Sequence, residues 1–315
     1  MTAATRDPGA ALEAKRVKLG RWDVRLGPVG YLAAERQRLE GLTWQNFDAR
    51  RLGATIGAVI EGVDLSCDPA PPVVAELRRA LLDYKVLFFR DQPLRAEAHL
   101  SFARAFGDLE RHPFIPAHPE HPELVRFAKS ADVGGYENVW HSDVSWREVP
   151  SMGAVLRAVE VPATGGDTLF SDMYAAYDGL DGEVRDRIDG LVAVHDFLLS
   201  FGMQVPEHQR AGMRARYPQV RHPVVRTHEE TGRKLVYVNR IFVDHIEGMD
   251  PGEGDQLLDV LCRQAEIVEH QCRWTWEPDS VAFWDNRAVQ HYACSDYWPS
   301  VRVMERASII GARPV

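Results

Sequence analysis

The sequence predicts a mainly β protein with helical additions (an α+β chain), folded as a β-sandwich or jelly roll. Short strand-like runs recur through most of the chain, and helix-like segments lie early or between them. Strands and helices do not alternate regularly, and no G-x-G-x-x-G motif is present. These patterns are typical of antiparallel β architectures. They disfavour a doubly wound nucleotide-binding sheet.

Length and charge exclude several protein classes. The chain has 315 residues, of which 45% are hydrophobic and 26% charged, as in ordinary globular proteins. Its net charge is −9, whereas a protein devoted to nucleic acid has a basic surface. No apolar run approaches the roughly 20 residues of a membrane-spanning helix, and the first residues lack the apolar core of a signal peptide. We therefore expect a cytoplasmic protein that binds neither nucleic acid nor membranes.

The four cysteines do not form a C-x-x-C pair, which disfavours a zinc ribbon or a thioredoxin-type site. They are Cys67, Cys262, Cys272 and Cys294. A domain of this size needs no disulfides when it is kept reduced. We interpret the cysteines as incidental thiols.

The first part of the chain differs in composition from the rest. Residues 1–45 have more basic than acidic side chains, several Gly and Pro residues, and little hydrophobic periodicity. We expect them to form an N-terminal arm that is partly disordered or lies over the surface. Residues 46–315 are expected to form a single domain.

Local signals predict the elements of this domain in chain order. Residues 54–63 are expected to form strand and turn, and residues 73–83 a helix, because apolar residues recur at helical spacing after two prolines. Residues 85–89 are β-branched and aromatic, which predicts a buried strand. Residues 96–106 form a second amphipathic pattern, which predicts a helix.

The remainder of the domain is predicted as strands with one further helix. That helix is expected over residues 255–270. Alternating or β-rich runs predict strands at residues 153–159, 222–227, 235–238, 272–276, 280–284, 288–292 and 301–310.

A histidine and an aspartate two residues apart are the first candidate metal ligands. On an extended strand, His141 and Asp143 would present an imidazole and a carboxylate on one face. The pattern alone is weak, because three similar H-x-E sequences occur, at His118, His121 and His228. His291, in a later strand-like run, could complete a set of two histidines and one carboxylate. Such a triad leaves open positions on Fe(II); alternatively, His291 is a core histidine.

Two arginines close to the C-terminus favour an anion-binding site. Arg302 and Arg306 would lie on the same face of a strand and repel each other unless anions lie nearby. The anion could be a neighbouring carboxylate or a bound dicarboxylate or sulfonate, which the planar guanidinium group binds well. A solvated edge strand is the alternative.

The order of the motifs resembles the Fe(II)/2-oxoglutarate-dependent taurine dioxygenase family (TauD/TfdA-like). The resemblance extends from about residue 47 to residue 314. The motifs that carry it are His141-Ser142-Asp143, Gly165-Gly166-Asp167-Thr168, Trp284-Asp285-Asn286-Arg287, Gln290-His291-Tyr292 and the run from Arg302 to Arg306, supported by His222 to His228 and by Tyr237-Val238-Asn239.

This resemblance implies a fold, a metal site and co-substrates. The implied fold is a double-stranded β-helix, which is a jelly roll. Fe(II) would be bound by His141, Asp143 and His291, and the co-substrates would be O₂ and 2-oxoglutarate. Thr168 and Arg302 would bind a carboxylate of 2-oxoglutarate. Such proteins are commonly symmetric assemblies, so we expect a homo-oligomer.

The resemblance also implies a small anionic substrate, either a sulfonate or a sulfate. Arg306 would lie between the co-substrate and substrate sites, and the substrate would meet His112 and the wall formed by Ser200 and Phe201. Ile115 and Glu137 stand where taurine-specific members have tyrosine and asparagine. The Glu137 carboxylate could pair with a substrate ammonium group or point to solvent.

The implied reaction hydroxylates the carbon next to the sulfonate of taurine or a related alkanesulfonate, in sulfur metabolism. The products would be sulfite, an aldehyde, succinate and CO₂. The same chemistry on an alkyl sulfate ester or an aryloxyalkanoate is an alternative. A noncatalytic β-sandwich binding protein is a more remote alternative, which predicts loss of a metal ligand or of Arg302. A halogenase would need a small residue in place of Asp143.

Overall fold

The computed structural model describes residues 15–113, 115–135 and 137–315 and divides the chain into two compact units, Met1–Leu42 and Thr43–Val315. The first unit contains an antiparallel hairpin of β1 (Lys15–Leu19) and β2 (Trp22–Leu26). Gly20, in its two-residue turn, has the positive φ that such turns require. The expected N-terminal arm stays a prediction, and its residues 1–14 lie outside the described residues.

A 3-10 helix (Gly30–Leu32) leads into the helix α1 of the first unit. The α-helices are α1 (Ala33–Glu40), α2 (Pro71–Tyr84), α3 (Ala96–Arg104), α4 (Met173–Asp178), α5 (Gly182–Ile188), α6 (Phe197–Ser200), α7 (Glu207–Arg216) and α8 (Pro251–Cys262). Further 3-10 helices cover Phe201–Gln204, Arg263–Glu266 and Val268–His270. No helix in the described ranges is both long and apolar enough to cross a membrane.

The second unit contains two principal β-sheets. The seven-stranded sheet has the order β3-β4-β5-β15-β7-β17-β6, and the three-stranded sheet has the order β14-β8-β16. The strands of this unit, including those of its smaller sheets, are β3 (Asp48–Arg51), β4 (Ala58–Glu61), β5 (Val86–Phe89), β6 (Leu124–Lys129), β7 (Ser151–Glu160), β8 (Thr168–Asp172), β9 (Val192–His195), β10 (Val220–Pro223), β11 (Val225–Thr227), β12 (Lys234–Val236), β13 (Val243–Ile246), β14 (Gln271–Trp274), β15 (Val281–Asp285), β16 (Val289–Ala293) and β17 (Arg302–Ile310).

The core between these two sheets consists of large apolar and aromatic side chains. Phe88 from the larger sheet contacts Phe170 and Trp274 from the smaller one, with ring centroids 5.5 and 4.3 Å apart. Val86, Trp284 and other buried residues of both sheets belong to the same cluster. Burial of this area in a close-packed layer is the main stabilisation of the sandwich. The architecture is the predicted jelly roll with helical additions.

The observed elements differ from the predicted ones mainly at their ends. The strand predicted over residues 222–227 is divided into β10 and β11, because Val224 instead bonds to the backbone of Leu191 and Tyr237. The helix predicted over residues 255–270 begins earlier, where Pro251 occupies the first turn and Asp250 caps it. That helix ends at Cys262, and two 3-10 helices follow. All four cysteines are free thiols, as expected.

Candidate metal centre and co-substrate pocket

The structure brings the three predicted metal ligands together. One donor atom from each of His141, Asp143 and His291 lies within 4.8 Å of the others. Asp143 Oδ1 is 3.9 Å from His141 Nε2 and 4.0 Å from His291 Nε2. These separations suit three ligands on one face of a single metal ion.

Backbone pairing brings the two ligand segments together. His141 forms an isolated antiparallel β-bridge with His291, in which each N–H donates to the other's carbonyl at 3.1 and 2.8 Å. The hydroxyl of Ser142 donates to the carbonyl of Val289 at 2.8 Å. The middle residue of the H-x-D motif therefore fastens this segment to β16.

The H-x-D segment is not the regular strand on which the sequence argument relied. After the bridge at His141 the chain turns, and Val144 has a φ of +48°, which is strained for a β-branched residue. The buried amide of Asn286 holds this turn. Its Oδ1 accepts the N–H of Asp143 at 2.7 Å, and its Nδ2 donates to the carbonyls of Asp143 and Ser151.

The orientation of His141 and the charge states of Asp143 and His291 suit metal binding. The Nδ1–H of His141 donates to the carbonyl of Val139 at 2.8 Å, which leaves Nε2 as the donor atom toward the site. Burial and the neighbouring His141 lower the pKa of His291 to about 3, so this imidazole is neutral. Burial alone would raise the pKa of Asp143, but Arg306 and the two imidazoles lower it to about 2.

Arg306 orients the carboxylate ligand. Its Nη1 donates to Asp143 Oδ2 at 2.8 Å, while Oδ1 faces the two imidazoles. The Arg306 guanidinium also lies 5.0 Å from the ring of Phe127. The sequence interpretation left the counter-anion of Arg306 open; in this structure it is Asp143.

Arg302 is buried without sufficient hydrogen-bond partners. It is 7% exposed, yet its Nε and Nη2 have no partner within the described part of the chain. Burial lowers the pKa of Arg302, because a guanidinium loses hydration there. A buried cation with unused N–H groups is costly unless an anion is bound. The geometry therefore indicates an anion pocket at Arg302.

The glycine-rich segment before β8 forms one wall of this pocket. A Cβ on Gly166 would lie 3.2 Å from Cδ and Nε of Arg302, and Gly166 has a φ of +71°. Only glycine fits that combination of close approach and backbone conformation. Thr168 follows directly as the first residue of β8, and its Oγ1 accepts a hydrogen bond from Trp276 Nε1 at 2.9 Å.

Glu137 lies at the Arg302 end of the site. Its Oε1 is 3.0 Å from Lys129 Nζ. Lys129 in turn is the register partner of Arg302 between β6 and β17. The acid that was expected to meet a substrate ammonium group or solvent is thus paired with a lysine, which offsets the charge of a second cation beside Arg302.

His112 lies close enough to Arg306 and Asp143 to feel their charges, and it contacts Phe201. Burial, followed by Arg306 and Arg147, lowers the pKa of His112 to about 3. Nδ1 of this neutral ring accepts the N–H of Ile115 at 3.0 Å, so Nε2 carries the proton. The rings of His112 and Phe201 are 6.3 Å apart.

An aromatic wall continues from Phe201. Phe201 stacks on Phe197 with centroids 5.0 Å apart, and Trp146 packs edge-on against both. Ser200 ends α6 immediately before Phe201. These aromatic side chains make the wall apolar. Trp146, the first of them along the chain, lies three residues after Asp143.

Two residues of the site were not identified from the sequence. Asn286 lies in a motif that was noted, but nothing in the motif shows which backbone its amide binds. Trp276 was assigned only to a strand, which in fact ends at Trp274. Both act through contacts with residues more than 100 positions away in sequence, so local pattern carries no signal for them.

The donor set fits a divalent transition metal. Two imidazole nitrogens and one carboxylate oxygen, with open positions opposite, form the facial triad typical of non-haem Fe(II) oxygenases. His291 Nδ1 is buried and has no partner among the described residues. The ring nitrogen that faces Asp143 is Nε2, 4.0 Å from Oδ1.

Comparisons with known proteins agree with this geometry. Residues 48–308 match the model of the family described as Taurine catabolism dioxygenase TauD, TfdA family. The chain is similar to an alpha-ketoglutarate-dependent sulfate ester dioxygenase of Pseudomonas putida, with 34% identity over 85% of this chain and 91% of that protein.

Solved structures show the same similarity. One is a crystal structure described as a taurine dioxygenase from Burkholderia xenovorans, with 34% identity and a TM-score of 0.75 over 86% of this chain and 93% of that chain. Another is AAD-2 in complex with Mn(II) and N-oxalylglycine, with 30% identity and a TM-score of 0.73 over 85% and 98% of the two chains. The predicted double-stranded β-helix and the family resemblance are confirmed.

Proposed function

This chain belongs to the TauD, TfdA family of dioxygenases, and from that premise we propose that it oxidises a small organic sulfonate or sulfate ester with Fe(II) as its metal. It is a 2-oxoglutarate-dependent dioxygenase and uses O₂ as the second co-substrate. The observation that carries the site assignment is the position of a buried, under-bonded Arg302 in a fold that also brings His141, Asp143 and His291 together.

His141, Asp143 and His291 would hold the iron. Bound Fe(II) supplies the O₂ chemistry that no protein side chain provides. The protein fixes the donor atoms: the Val139 carbonyl orients His141, Arg306 occupies one oxygen of Asp143, and neutral His291 needs no deprotonation. The complex of the similar AAD-2 with Mn(II) supports a divalent metal as a ligand of this fold.

Arg302 would bind the distal carboxylate of 2-oxoglutarate. Its unused Nε–H and Nη2–H groups offer a charge-assisted contact to a carboxylate. Thr168, the first residue of β8, would add a hydroxyl donor. Glu137, through Lys129, keeps the pocket from carrying two uncompensated cations. Binding one dicarboxylate then balances the charge of Arg302.

His112 and Arg306 would orient the anionic group of the substrate. The neutral His112 ring carries its proton on Nε2, and Arg306 supplies the positive charge. Phe201, which is partly exposed, would accept a hydrocarbon tail, and the buried rings of Phe197 and Trp146 would support it from behind. The family resemblance places Ser200 on the same wall. Holding the anion fixes which C–H bond is presented for reaction.

An alkyl sulfate ester is the second candidate substrate, and two observations favour it. Ile115 and the aromatic wall offer apolar surface rather than polar contacts to a small zwitterion. The Pseudomonas putida relative is a sulfate ester dioxygenase. A sulfonate would give an aldehyde and sulfite, a sulfate ester an aldehyde and sulfate. Succinate and CO₂ form from 2-oxoglutarate in both reactions.

Product analysis distinguishes the candidates. Purified protein with Fe(II), ascorbate, O₂ and 2-oxoglutarate is offered taurine, longer alkanesulfonates, alkyl sulfates or an aryloxyacetate separately. Succinate is measured beside sulfite, sulfate and the phenol. His291→Gln serves as the control without a complete metal site.

We expect succinate to form one-for-one with sulfite or sulfate, and neither to form with His291→Gln. Phenol release alone would move the substrate to an aryloxyalkanoate and overturn the organosulfur proposal. Absence of substrate-stimulated succinate with iron demonstrably bound would overturn it as well.

A further inference from the structure

The indole of Trp276 makes one specific polar contact, with Thr168. Its Nε1 donates to Thr168 Oγ1 at 2.9 Å, and both side chains are buried at 4% and 2% exposure. An indole N–H can only donate, whereas a threonine hydroxyl can both donate and accept. The hydroxyl oxygen therefore accepts in this bond, and its hydrogen must point in another direction.

The sheet fixes the two partners relative to each other. Thr168 is the register partner of Trp274 between β8 and β14, and Trp276 follows two residues beyond. Trp276 also packs against the ring of Trp274, with centroids 6.4 Å apart. Because strand pairing holds Thr168 and packing against Trp274 holds the indole, the direction of the Thr168 hydroxyl is set before any ligand binds.

Thr168 follows the glycine-rich segment that forms one wall of the anion pocket. Gly166, two residues earlier, is in contact distance of the Arg302 side chain. Arg302 has unused N–H groups, and a donor hydroxyl next to it would meet the same anion. If the hydroxyl instead pointed its hydrogen toward Trp276, its lone pairs would face the anion and repel it.

We propose that Trp276 is a positioning residue for 2-oxoglutarate, which acts by committing Thr168 to donate its hydroxyl hydrogen to the co-substrate carboxylate. This inference rests on the proposed function, in which Arg302 and Thr168 bind that carboxylate. Trp276 itself does not touch the ligand. Its indole N–H prevents the Thr168 hydroxyl from turning its hydrogen away from the co-substrate carboxylate.

The matched pair Trp276→Phe and Trp274→Phe tests the proposal. Both are neighbouring buried tryptophans, but Trp274 Nε1 has no hydrogen-bond partner among the described residues. Affinity for N-oxalylglycine is measured by calorimetry on Mn(II)-loaded protein. The KM for 2-oxoglutarate and kcat are measured on the Fe(II) enzyme.

We expect Trp276→Phe to weaken N-oxalylglycine binding about 3- to 10-fold, the effect of one hydrogen bond. The KM for 2-oxoglutarate should rise by a similar factor with kcat unchanged. Trp274→Phe should stay within about twofold of the wild type, since it loses no such bond. Equal losses in the two variants would assign Trp276 a packing role and overturn the proposal.

Thr168 variants show whether the effect passes through the hydroxyl. Thr168→Val should weaken binding by about 10-fold or more, and adding Trp276→Phe to it should cause no further loss. Thr168→Ser keeps the hydroxyl, so it should bind normally when Trp276 is present and poorly in the Trp276→Phe background. Additive losses from Thr168→Val and Trp276→Phe would overturn the proposal.

Two further results separate the possible failures. If Arg302→Met and Thr168→Val both bind N-oxalylglycine as the wild type does, the proposed co-substrate site is wrong. If they weaken binding but Trp276→Phe does not, only the role of Trp276 is wrong. If the Trp276→Phe variant does not fold, the test instead follows the NMR resonance of the Trp276 indole N–H in Zn(II)-loaded protein. Thr168→Val must shift that resonance, and an unchanged resonance would overturn the proposal.

Discussion

Two neighbouring clusters of buried charge in this protein differ in how completely they are paired. The site cluster consists of His141, Asp143, His291, Arg302 and Arg306. The paired cluster consists of His228, Glu229, Glu230, Asp285 and Arg287. In the site cluster, His291, Arg302 and Arg306 each have a buried nitrogen without a partner in the described residues. In the paired cluster, no buried side-chain atom of the described structure is left in that state.

Arg287 shows what complete pairing involves. Its Nε and Nη2 donate to the two oxygens of Asp285 at 2.8 and 2.7 Å, and its Nη1 donates to Glu229 and Glu230. Asp285 also accepts the backbone N–H of Arg287 and contacts His228 Nε2, each at 3.0 Å. Arg287 therefore has no capacity left for a ligand, whereas Arg302 has. Buried charge of equal strength is structural in one cluster and available for binding in the other.

Replacing Arg287 in the paired cluster and Arg302 in the site cluster should give the largest difference in the free energy of unfolding. Arg287→Ala leaves three carboxylates without their common partner, and we expect it to lower the free energy of unfolding by about 3–5 kcal/mol. Arg302→Met breaks no such network and should change stability by less than about 1 kcal/mol. Urea unfolding of the metal-free proteins measures both. Equal destabilisation would contradict the distinction between the clusters.

Asn286 lies between Asp285 and Arg287 in sequence but serves the site cluster. In Asn286→Asp, the amide donors to the carbonyls of Asp143 and Ser151 are lost and a negative charge is added beside a ligand. We expect Mn(II) affinity to fall about 10- to 100-fold, measured by calorimetry. The control is Asn239→Asp, a buried amide that donates to Ser145. A similar loss in the control would argue against a specific role of Asn286.

Lowering the pH should also reduce the stability that the paired cluster provides, but by less than Arg287→Ala does. Burial alone would raise the pKa of Asp285, but Arg287 and His228 lower it well below its ordinary range. The stabilisation is present above the unfolded pKa of about 3.9 and is lost as the pH falls below it. Between pH 5 and pH 3 this loss is about 1 kcal/mol. The difference in unfolding free energy between wild type and Asp285→Asn should shrink by that amount; a constant difference would exclude the linkage.

The sequence predicted the parts of the fold that depend on local pattern. The run at residues 85–89 became β5, and the strand-like run at residues 301–310 became β17. Elements whose sequences are polar or short were missed, among them α7, which has no buried residue, and the four-residue strand β9. Without an apolar stripe or a strict alternation, such segments have no periodic signal.

The candidate site divides in the same way. The residue types and the order of His141, Asp143, His291 and Arg302 were readable from sequence, because metal and anion binding require particular functional groups. The partner of Arg306 was not, since carboxylate and bound ligand were equally compatible with its position. Glu137 is a similar case: its contact with Lys129 depends on where the segment after β6 places it, and its carbonyl there accepts the N–H of Ala293.

The sequence by itself determined which functional groups this protein has and the family to which it belongs. Only the tertiary structure decided which of its buried charges are paired within the protein and which remain available. The physical reason is that pairing depends on distances of about 3 Å between side chains far apart in the chain. Such distances are set by strand register and close packing, as in the contact of Trp276 with Thr168 or of Asn286 with Asp143.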